Sequence, residues 1–384
     1  MNATDNEIRP QRIAIPEAQL HDLRERLDRT RWSDRETVPD WSQGVPLAWL
    51  RDVCTYWREA YDWRRLEAEL NGLGSFETTI GAVTVQFLHV KSPHAGARPL
   101  LLSHGWPGSI VEFLDAIPRL TRPEAHGGTV EDAFHVVVPS LPGYGFSSKP
   151  GAPGFGVPRI AETFVELMRR LGYRRYIAQG GDWGSEVSLA VAQSGEDCIG
   201  AHVNFLIVPL PEEVKSAPTA WEVQALGAAV SFAGDGTAYA QQQRTRPQTL
   251  GYGLTDSPVG QAAWILEKFL AWTDNHGDPR DAVRIDRLLD NVTLYWLTAT
   301  ATSSARLYWE SVAAMGQPSV SAPVAYSVFP RELVRVSRRW AASRCANIVY
   351  WNEVAEGGHF AALEEPGLFV DEVRRAANVL HAGG

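Results

Sequence analysis

Apolar and polar residues follow two different periods along the chain. Over residues 8–72 the apolar positions recur at helical spacing, as in Leu20, Leu23 and Leu27. An apolar stripe on a helix must pack against a larger body. We therefore predict that residues 1–75 form a helical arm lying on the rest of the protein.

From residue 76 onward the pattern changes to that of β-strands. Residues 78–90 alternate around Gly81, which predicts a hairpin. The further buried strands predicted in this part are at residues 99–103, 134–139, 176–179 and 199–207, with helices at 159–171 and 185–193. Apolar strands that alternate with helices favour a mostly parallel sheet with helices on both faces.

This alternation stops after Pro209. No convincing strand occurs in residues 211–316, which predicts a helical insertion. The segments predicted there and beyond are helices at 262–272 and 292–314, strands at 323–329 and 348–351, and a last helix at 366–380. We therefore predict an α/β core of residues 76–210 and 317–384 that carries a helical cap, residues 211–316.

Composition narrows the classes of function. The 384 residues are 45% hydrophobic and 21% charged with a net charge of −9. This balance argues against a nucleic-acid partner, which needs a concentrated basic face. No apolar run reaches the roughly 18 residues of a membrane span, and the first seven residues lack the pattern of a signal peptide. Cys54, Cys198 and Cys345 are widely spaced, so we expect a cytoplasmic protein with no membrane partner, no structural zinc and no other cofactor.

A strand-to-helix turn is centred on Asp182. The sequence GGDWG, residues 180–184, follows the strand at 176–179 and opens a helix. A sharp nucleophile turn requires small residues two positions before and after its central side chain, because a Cβ there would collide with neighbouring backbone. Asp182 could instead simply cap the helix. Its place between glycines in a strand–turn–helix context favours a nucleophile.

Two loops supply candidate hydrogen-bond donors. The sequence HGWPG, residues 104–108, follows the strand at 99–103. Its glycine, Gly105, allows a tight turn that points the amide of the next residue into a site. Paired with the amide after the nucleophile, this amide would form an oxyanion hole. The candidate donors are the amides of Trp106 and Trp183. The alternative is an ordinary Gly–Pro turn after a core strand.

A histidine and an acid complete the predicted set. His359 follows two glycines after the last predicted strand, in the chain order nucleophile, acid, histidine. The acid should follow the strand at 323–329, where Glu332 is the only carboxylate of the loop at 329–332. Other carboxylates flank His359 on the wrong side or too close to reach around: Glu353, Glu356 and Glu364.

Aspartate in place of serine at this turn points to a particular chemistry. A serine that attacked an sp³ carbon would form an ether, which an oxyanion hole does not help to break. A carboxylate forms an ester instead, and a histidine-activated water can hydrolyse that ester. Asp182 therefore indicates attack on a C–O or C–halogen bond rather than on a peptide or an ester.

Several long motifs occur together in one order. They are residues 40–47 (DWSQGVPL), 104–109 (HGWPGS), 180–185 (GGDWGS), 245–252 (TRPQTLGY) and 256–260 (DSPVG). Through them nearly the whole chain resembles the microsomal-type epoxide hydrolase family and its soluble bacterial members, which have the α/β-hydrolase fold. Membrane-bound relatives carry an apolar N-terminal anchor, and none is visible here.

The resemblance implies roles for five side chains. Asp182 would be the nucleophile, and Glu332 and His359 the charge pair that activates water. Two cap tyrosines, Tyr308 and Tyr239, would donate hydrogen bonds to the epoxide oxygen, as phenols of pKa about 10 can. For the second tyrosine the nearby Tyr252 stays an alternative.

The expected reaction adds water to an epoxide to give a vicinal diol. Aromatic residues in the cap favour a bulky apolar or aromatic substrate; they are Trp221, Phe232, Trp264, Phe269 and Trp296. A bacterial role in aromatic hydrocarbon catabolism, detoxification or secondary metabolism would fit, and a homodimer is left open. Two other functions compete: a haloalkane dehalogenase in which the Trp183 indole holds the halide, and a non-catalytic small-molecule receptor.

Overall fold

The computed structural model describes residues 7–194 and 196–383. Of the first seven residues, which lack the sequence pattern of a signal peptide, only Glu7 lies within these ranges. A single sheet holds the strands. They are β1 (Arg9–Pro10), β2 (Ser75–Ile80), β3 (Val83–Val90), β4 (Arg98–Ser103), β5 (Phe134–Pro139), β6 (Tyr176–Gly180), β7 (Cys198–Val203), β8 (Val324–Val328) and β9 (Ile348–Glu353).

The strand order is β1-β2-β3-β5-β4-β6-β7-β8-β9. The pairs β1–β2, β2–β3 and β3–β5 are antiparallel, whereas every pair from β5 to β9 is parallel. In the centre, Leu101 of β4 lies opposite Val137 on one side and Ala178 on the other. The mostly parallel sheet is confirmed, and its topology brings the carboxyl ends of β4, β6, β8 and β9 to one edge.

Helices cover both faces of the sheet and form the arm and the insertion. The arm has α1 (Glu17–Asp28), α2 (Leu47–Glu59) and α3 (Trp63–Leu73). The first core segment has α4 (Ile117–Thr121), α5 (Val157–Arg170) and α6 (Asp182–Ser194). The insertion has α7 (Glu212–Ser216), α8 (Ala220–Ser231), α9 (Ala238–Thr245), α10 (Pro247–Asp256), α11 (Pro258–Trp272), α12 (Ile285–Leu297) and α13 (Ala301–Ser311). The last segment has α14 (Arg338–Ala342), α15 (Ala361–Glu364) and α16 (Pro366–Ala382). Helix α5 packs with α6, and α4 packs with α16.

The N-terminal helices pack against helices of the insertion, with contacts between α1 and α11 and between α3 and α12. Leu20, Leu23 and Leu27 are buried. The Trp57 indole donates to Thr293 Oγ1 at 2.8 Å, and the Tyr61 hydroxyl donates to Asp290 Oδ1 at 2.9 Å. Both partners belong to α12, so these hydrogen bonds attach the arm to that helix. The strand β1 within the arm was not predicted.

Several predicted elements have a different extent in the structure; helix α11, for example, begins at Pro258 rather than at residue 262. The strand expected over residues 199–207 ends at Val203. The single helix expected over 292–314 is two helices, α12 and α13, because Ala299 takes a left-handed φ of 48° and the Thr298 hydroxyl binds the Leu294 carbonyl at 2.7 Å. Residues 211–316 contain no strand in the described structure, but the exact boundaries of arm, core and cap stay predictions.

Within the described ranges, no helix has both the length and the apolar character that crossing a bilayer demands.

Candidate active site

The turn between β6 and α6 has the geometry that its glycines predicted. A Cβ on Gly180 would lie 2.1 Å from the Gly184 carbonyl oxygen, and one on Gly184 would lie 1.9 Å from the Ser103 carbonyl oxygen. Asp182 itself has a φ of 49°, a left-handed conformation that costs a non-glycine residue energy. This conformation differs from that of an ordinary helix cap, and the crowded backbone around Asp182 holds it in place.

The loop after β4 aims a donor at this carboxylate. The Trp106 amide donates to Asp182 Oδ1 at 2.8 Å, and its role in an oxyanion hole stays a prediction. A Cβ on Gly105 would lie only 2.1 Å from the same oxygen. Gly105 therefore makes room for the carboxylate, a reason for glycine that the local sequence did not reveal.

Trp183 lies directly after Asp182 and is 1% exposed. Its ring meets the Tyr308 ring edge-on, with 5.0 Å between centroids. Among the described residues its indole Nε1 has no hydrogen-bond partner. The oxyanion role expected for the Trp183 amide stays a prediction.

His359 and Glu332 lie together beside Asp182. His359 Nδ1 is 2.6 Å from Glu332 Oε1, and Nε2 is 3.4 Å from Asp182 Oδ2. Burial opposes the imidazolium, but the negative charges of Glu332 and Asp182 outweigh it and raise the pKa of His359 well above its usual value. The predicted nucleophile, acid and histidine thus converge in one place, with the ring oriented by Glu332.

A second carboxylate fixes the loop that carries His359. Glu364 accepts from the Gly358 amide at 3.1 Å and from the Phe360 amide at 2.9 Å, on either side of the histidine. The His359 amide donates to the Trp272 carbonyl of α11 at 2.9 Å. Burial raises the pKa of Glu364 to about 7. Sequence reasoning excluded Glu364 as the acid and missed this role, which depends on backbone geometry.

Both tyrosines named by the family resemblance reach the same cluster. The Tyr239 and Tyr308 rings are 5.7 Å apart, and Trp106 stacks on Tyr239 at 5.0 Å. Burial is the main cause that raises the pKa of each phenol, and the nearby Asp182 carboxylate raises it further. The alternative, Tyr252, is 70% exposed. The structure therefore brings Tyr239 to the site and leaves Tyr252 on the surface.

The aromatic residues expected to line a substrate pocket have mixed positions. The Trp264 indole donates to Gln243 at 3.0 Å, and the Trp296 ring lies under the Arg26 guanidinium of the arm. The rings packed against His359 are instead those of Phe205, Trp272 and Phe360, at 5.5, 5.1 and 5.1 Å. Within residues 7–194 and 196–383, no group of three or more His, Cys, Asp or Glu side chains could hold a metal ion.

Comparisons with known proteins agree with this geometry. Residues 8–113 match the family model "Epoxide hydrolase N terminus", and residues 98–253 match "alpha/beta hydrolase fold". A putative epoxide hydrolase of Stigmatella aurantiaca is 52% identical over 378 residues, which cover 98% of this chain and 86% of that protein. The chain belongs to the epoxide hydrolase family.

Further epoxide hydrolases are similar over almost the full length. Epoxide hydrolase 1 of Sus scrofa is 34% identical over 415 residues, covering 98% of this chain and 90% of that one. The crystal structure of juvenile hormone epoxide hydrolase from the silkworm Bombyx mori superposes with a TM-score of 0.92 at 31% identity, covering 99% of this chain and 96% of that one. The α/β-hydrolase fold and the resemblance to the microsomal-type family are confirmed, and the protein is an enzyme.

Proposed function

We propose that this epoxide hydrolase forms a vicinal diol in two covalent steps, with Asp182 as the nucleophile. One observation carries the proposal: the two oxygens of the Asp182 carboxylate face different groups. Oδ1 accepts from the Trp106 amide at 2.8 Å, and Oδ2 lies 3.4 Å from His359 Nε2. The same carboxyl group is therefore close to a donor for an oxyanion and to a base for water.

In the first step an Asp182 oxygen attacks an epoxide carbon from the side opposite the C–O bond. The carbon–carboxylate bond forms as the epoxide C–O bond breaks, and the oxygen becomes an alkoxide. Tyr308 or Tyr239 then protonates that alkoxide. Both rings are buried, at 3% and 6% exposure, so bulk water is a poor competitor as proton donor.

In the second step His359 takes a proton from water, and the resulting hydroxide attacks the ester carbonyl of Asp182. The tetrahedral oxyanion accepts hydrogen bonds from the Trp106 and Trp183 amides. Its collapse breaks the ester C–O bond and releases the diol, whose oxygen takes the proton from His359. The remaining water proton restores the tyrosine, so epoxide and water together account for every atom of the diol.

The walls of the site suggest the class of substrate. Trp106, Trp272 and Phe205 present aromatic rings around Asp182 and His359. Such walls suit a bulky apolar or aromatic epoxide. A haloalkane would need a donor for the departing halide rather than an acid for an alkoxide, and the paired tyrosines favour the epoxide. A halide-release assay separates these two substrates.

The variant His359→Gln separates the two steps. Alkylation of Asp182 requires no general base, whereas hydrolysis of the ester does. We expect intact-protein mass spectrometry with a reactive aryl epoxide to show a stable adduct of one substrate mass, and peptide mapping to place it on the peptide that contains Asp182.

The matched control is His276→Gln, since His276 lies exposed on the surface. It should turn over substrate without accumulating an adduct. An inactive His359→Gln protein that carries no adduct would contradict the proposed role of His359.

A further inference from the structure

A buried lysine lies against one of the tyrosines. Lys268 of α11 is 5% exposed, and its Nζ lies over the Tyr239 ring at 4.7 Å from the centroid. Lysine is almost never fully buried without a partner, because removing its charge from water is costly. The two-step mechanism above makes no use of this ammonium group, so its position needs another explanation.

Lys268 is held in a fixed relation to Tyr239. Its helix also contributes Trp272, whose ring lies 5.2 Å from that of Tyr239. Trp106 stacks on the tyrosine at an interplanar angle of 10°. Neighbouring rings therefore restrict the phenol, and the burial of the Lys268 side chain keeps its ammonium close to the ring.

The charge partner of Lys268 is the weaker influence on the ring. Glu267 Oε1 lies 2.9 Å from Lys268 Nζ, but the glutamate side chain is 37% exposed while that of the lysine is 7% exposed. Water screens an exposed charge more than a buried one. Glu267 therefore cancels only part of the positive charge that Lys268 presents to the Tyr239 ring, while the Asp182 and Glu332 carboxylates act on the phenol in the opposite direction.

We propose that Lys268 is a positioning residue whose ammonium stabilises the negative charge that spreads over the Tyr239 ring as its hydroxyl protonates the opening epoxide. The inference rests on the proposed function. A cation is attracted to the face of a neutral aromatic ring, and more strongly to a ring that is gaining negative charge in a site of low dielectric. Lys268 thus offsets part of the effect of burial, which raises the pKa of Tyr239 and makes its phenol a weaker acid.

The variant Lys268→Met removes the charge at nearly constant length. We expect the alkylation rate in single turnovers at saturating epoxide to fall about tenfold, equivalent to about 1.4 kcal/mol. The control is Lys149→Met, because Lys149 is an exposed lysine whose Nζ donates to the Ala299 carbonyl. It should alkylate at the wild-type rate.

A double-mutant cycle distinguishes this role from a structural one. In the Tyr239→Phe background, where residue 239 has no proton to donate and Tyr308 is the remaining donor, Lys268→Met should change the alkylation rate by less than twofold. An equal tenfold loss in both backgrounds would overturn the inference. If the His359→Gln protein formed no adduct on Asp182 and was inactive, the proposed function itself would fail instead.

A second variant covers the case in which Lys268→Met does not fold. Glu267→Gln keeps the ammonium and removes its counter-charge. It should raise the alkylation rate roughly two- to threefold, because no counter-charge then opposes the ammonium at the ring. An unchanged or lower rate in a correctly folded Glu267→Gln protein would contradict the role given to Lys268.

Discussion

A single methyl group added at residue 105 would meet the Asp182 carboxyl group directly. The Cβ of Gly105→Ala would lie 2.1 Å from Asp182 Oδ1, 2.4 Å from its Cβ and 2.6 Å from its Cγ, all below the 3.0 Å that real Cβ contacts respect. The carboxylate must therefore retreat by about 1 Å, and the Trp106 hydrogen bond of 2.8 Å cannot survive this. Misplacement of a reacting group by about 1 Å costs on the order of 10²-fold in rate.

The assay is the single-turnover alkylation rate, with thermal unfolding measured on the same samples. Gly96→Ala is the matched control, because a Cβ there would meet no atom within 4 Å. We expect the control to alkylate within twofold of the wild type and Gly105→Ala to be about 100-fold slower while still folded. A Gly105→Ala enzyme within threefold of the wild-type rate would refute the idea that this carboxylate must occupy its observed position.

Two further predictions concern pH dependence and stability. Burial lowers the pKa of His359 and the Glu332 charge raises it, so Glu332→Gln should lower this pKa. Because only the neutral imidazole is a base, the rate of ester hydrolysis should then rise with pH at a lower midpoint than in the wild type. Its maximum should be reduced by about 10²–10⁴. An unmoved midpoint in a pH series of single turnovers would argue against the pairing. The Arg287 side chain is 5% exposed and binds Glu69 of the arm at 2.8 Å, so Arg287→Met should lower the free energy of unfolding by about 3 kcal/mol. Arg284→Met, at a side chain 72% exposed, should change it by less than about 0.5 kcal/mol in chemical denaturation, and equal effects of the two variants would contradict the expectation.

The parts of the site that local sequence determines could be predicted. Gly180 and Gly184 leave the backbone space that the sharp turn at Asp182 needs, so the position of this side chain follows from a five-residue motif. The carboxyl ends of parallel strands share one sheet edge, and this brought Glu332 and His359 to the same edge. Chain order and strand alternation were enough for these three residues.

Other features depend on contacts between distant segments. The break at Ala299 separates α12 from α13, yet a run of apolar and threonine residues there also fits one continuous helix. Tyr239 and Tyr252 have similar local sequences, and packing against Trp106, Trp272 and Tyr308 distinguishes the buried Tyr239. The contacts of Glu364 with the amides around His359 likewise require the folded loop.

The most direct test of the covalent mechanism follows solvent oxygen through one turnover. With enzyme in excess over a racemic aryl epoxide in ¹⁸O-water, the oxygen added to the substrate should come from the Asp182 carboxylate. The diol of the first turnover should then be unlabelled, and the label should appear in the tryptic peptide that contains Asp182. Labelled diol together with an unlabelled peptide would mean that a His359-activated water attacks the epoxide directly, and would contradict Asp182 as the nucleophile.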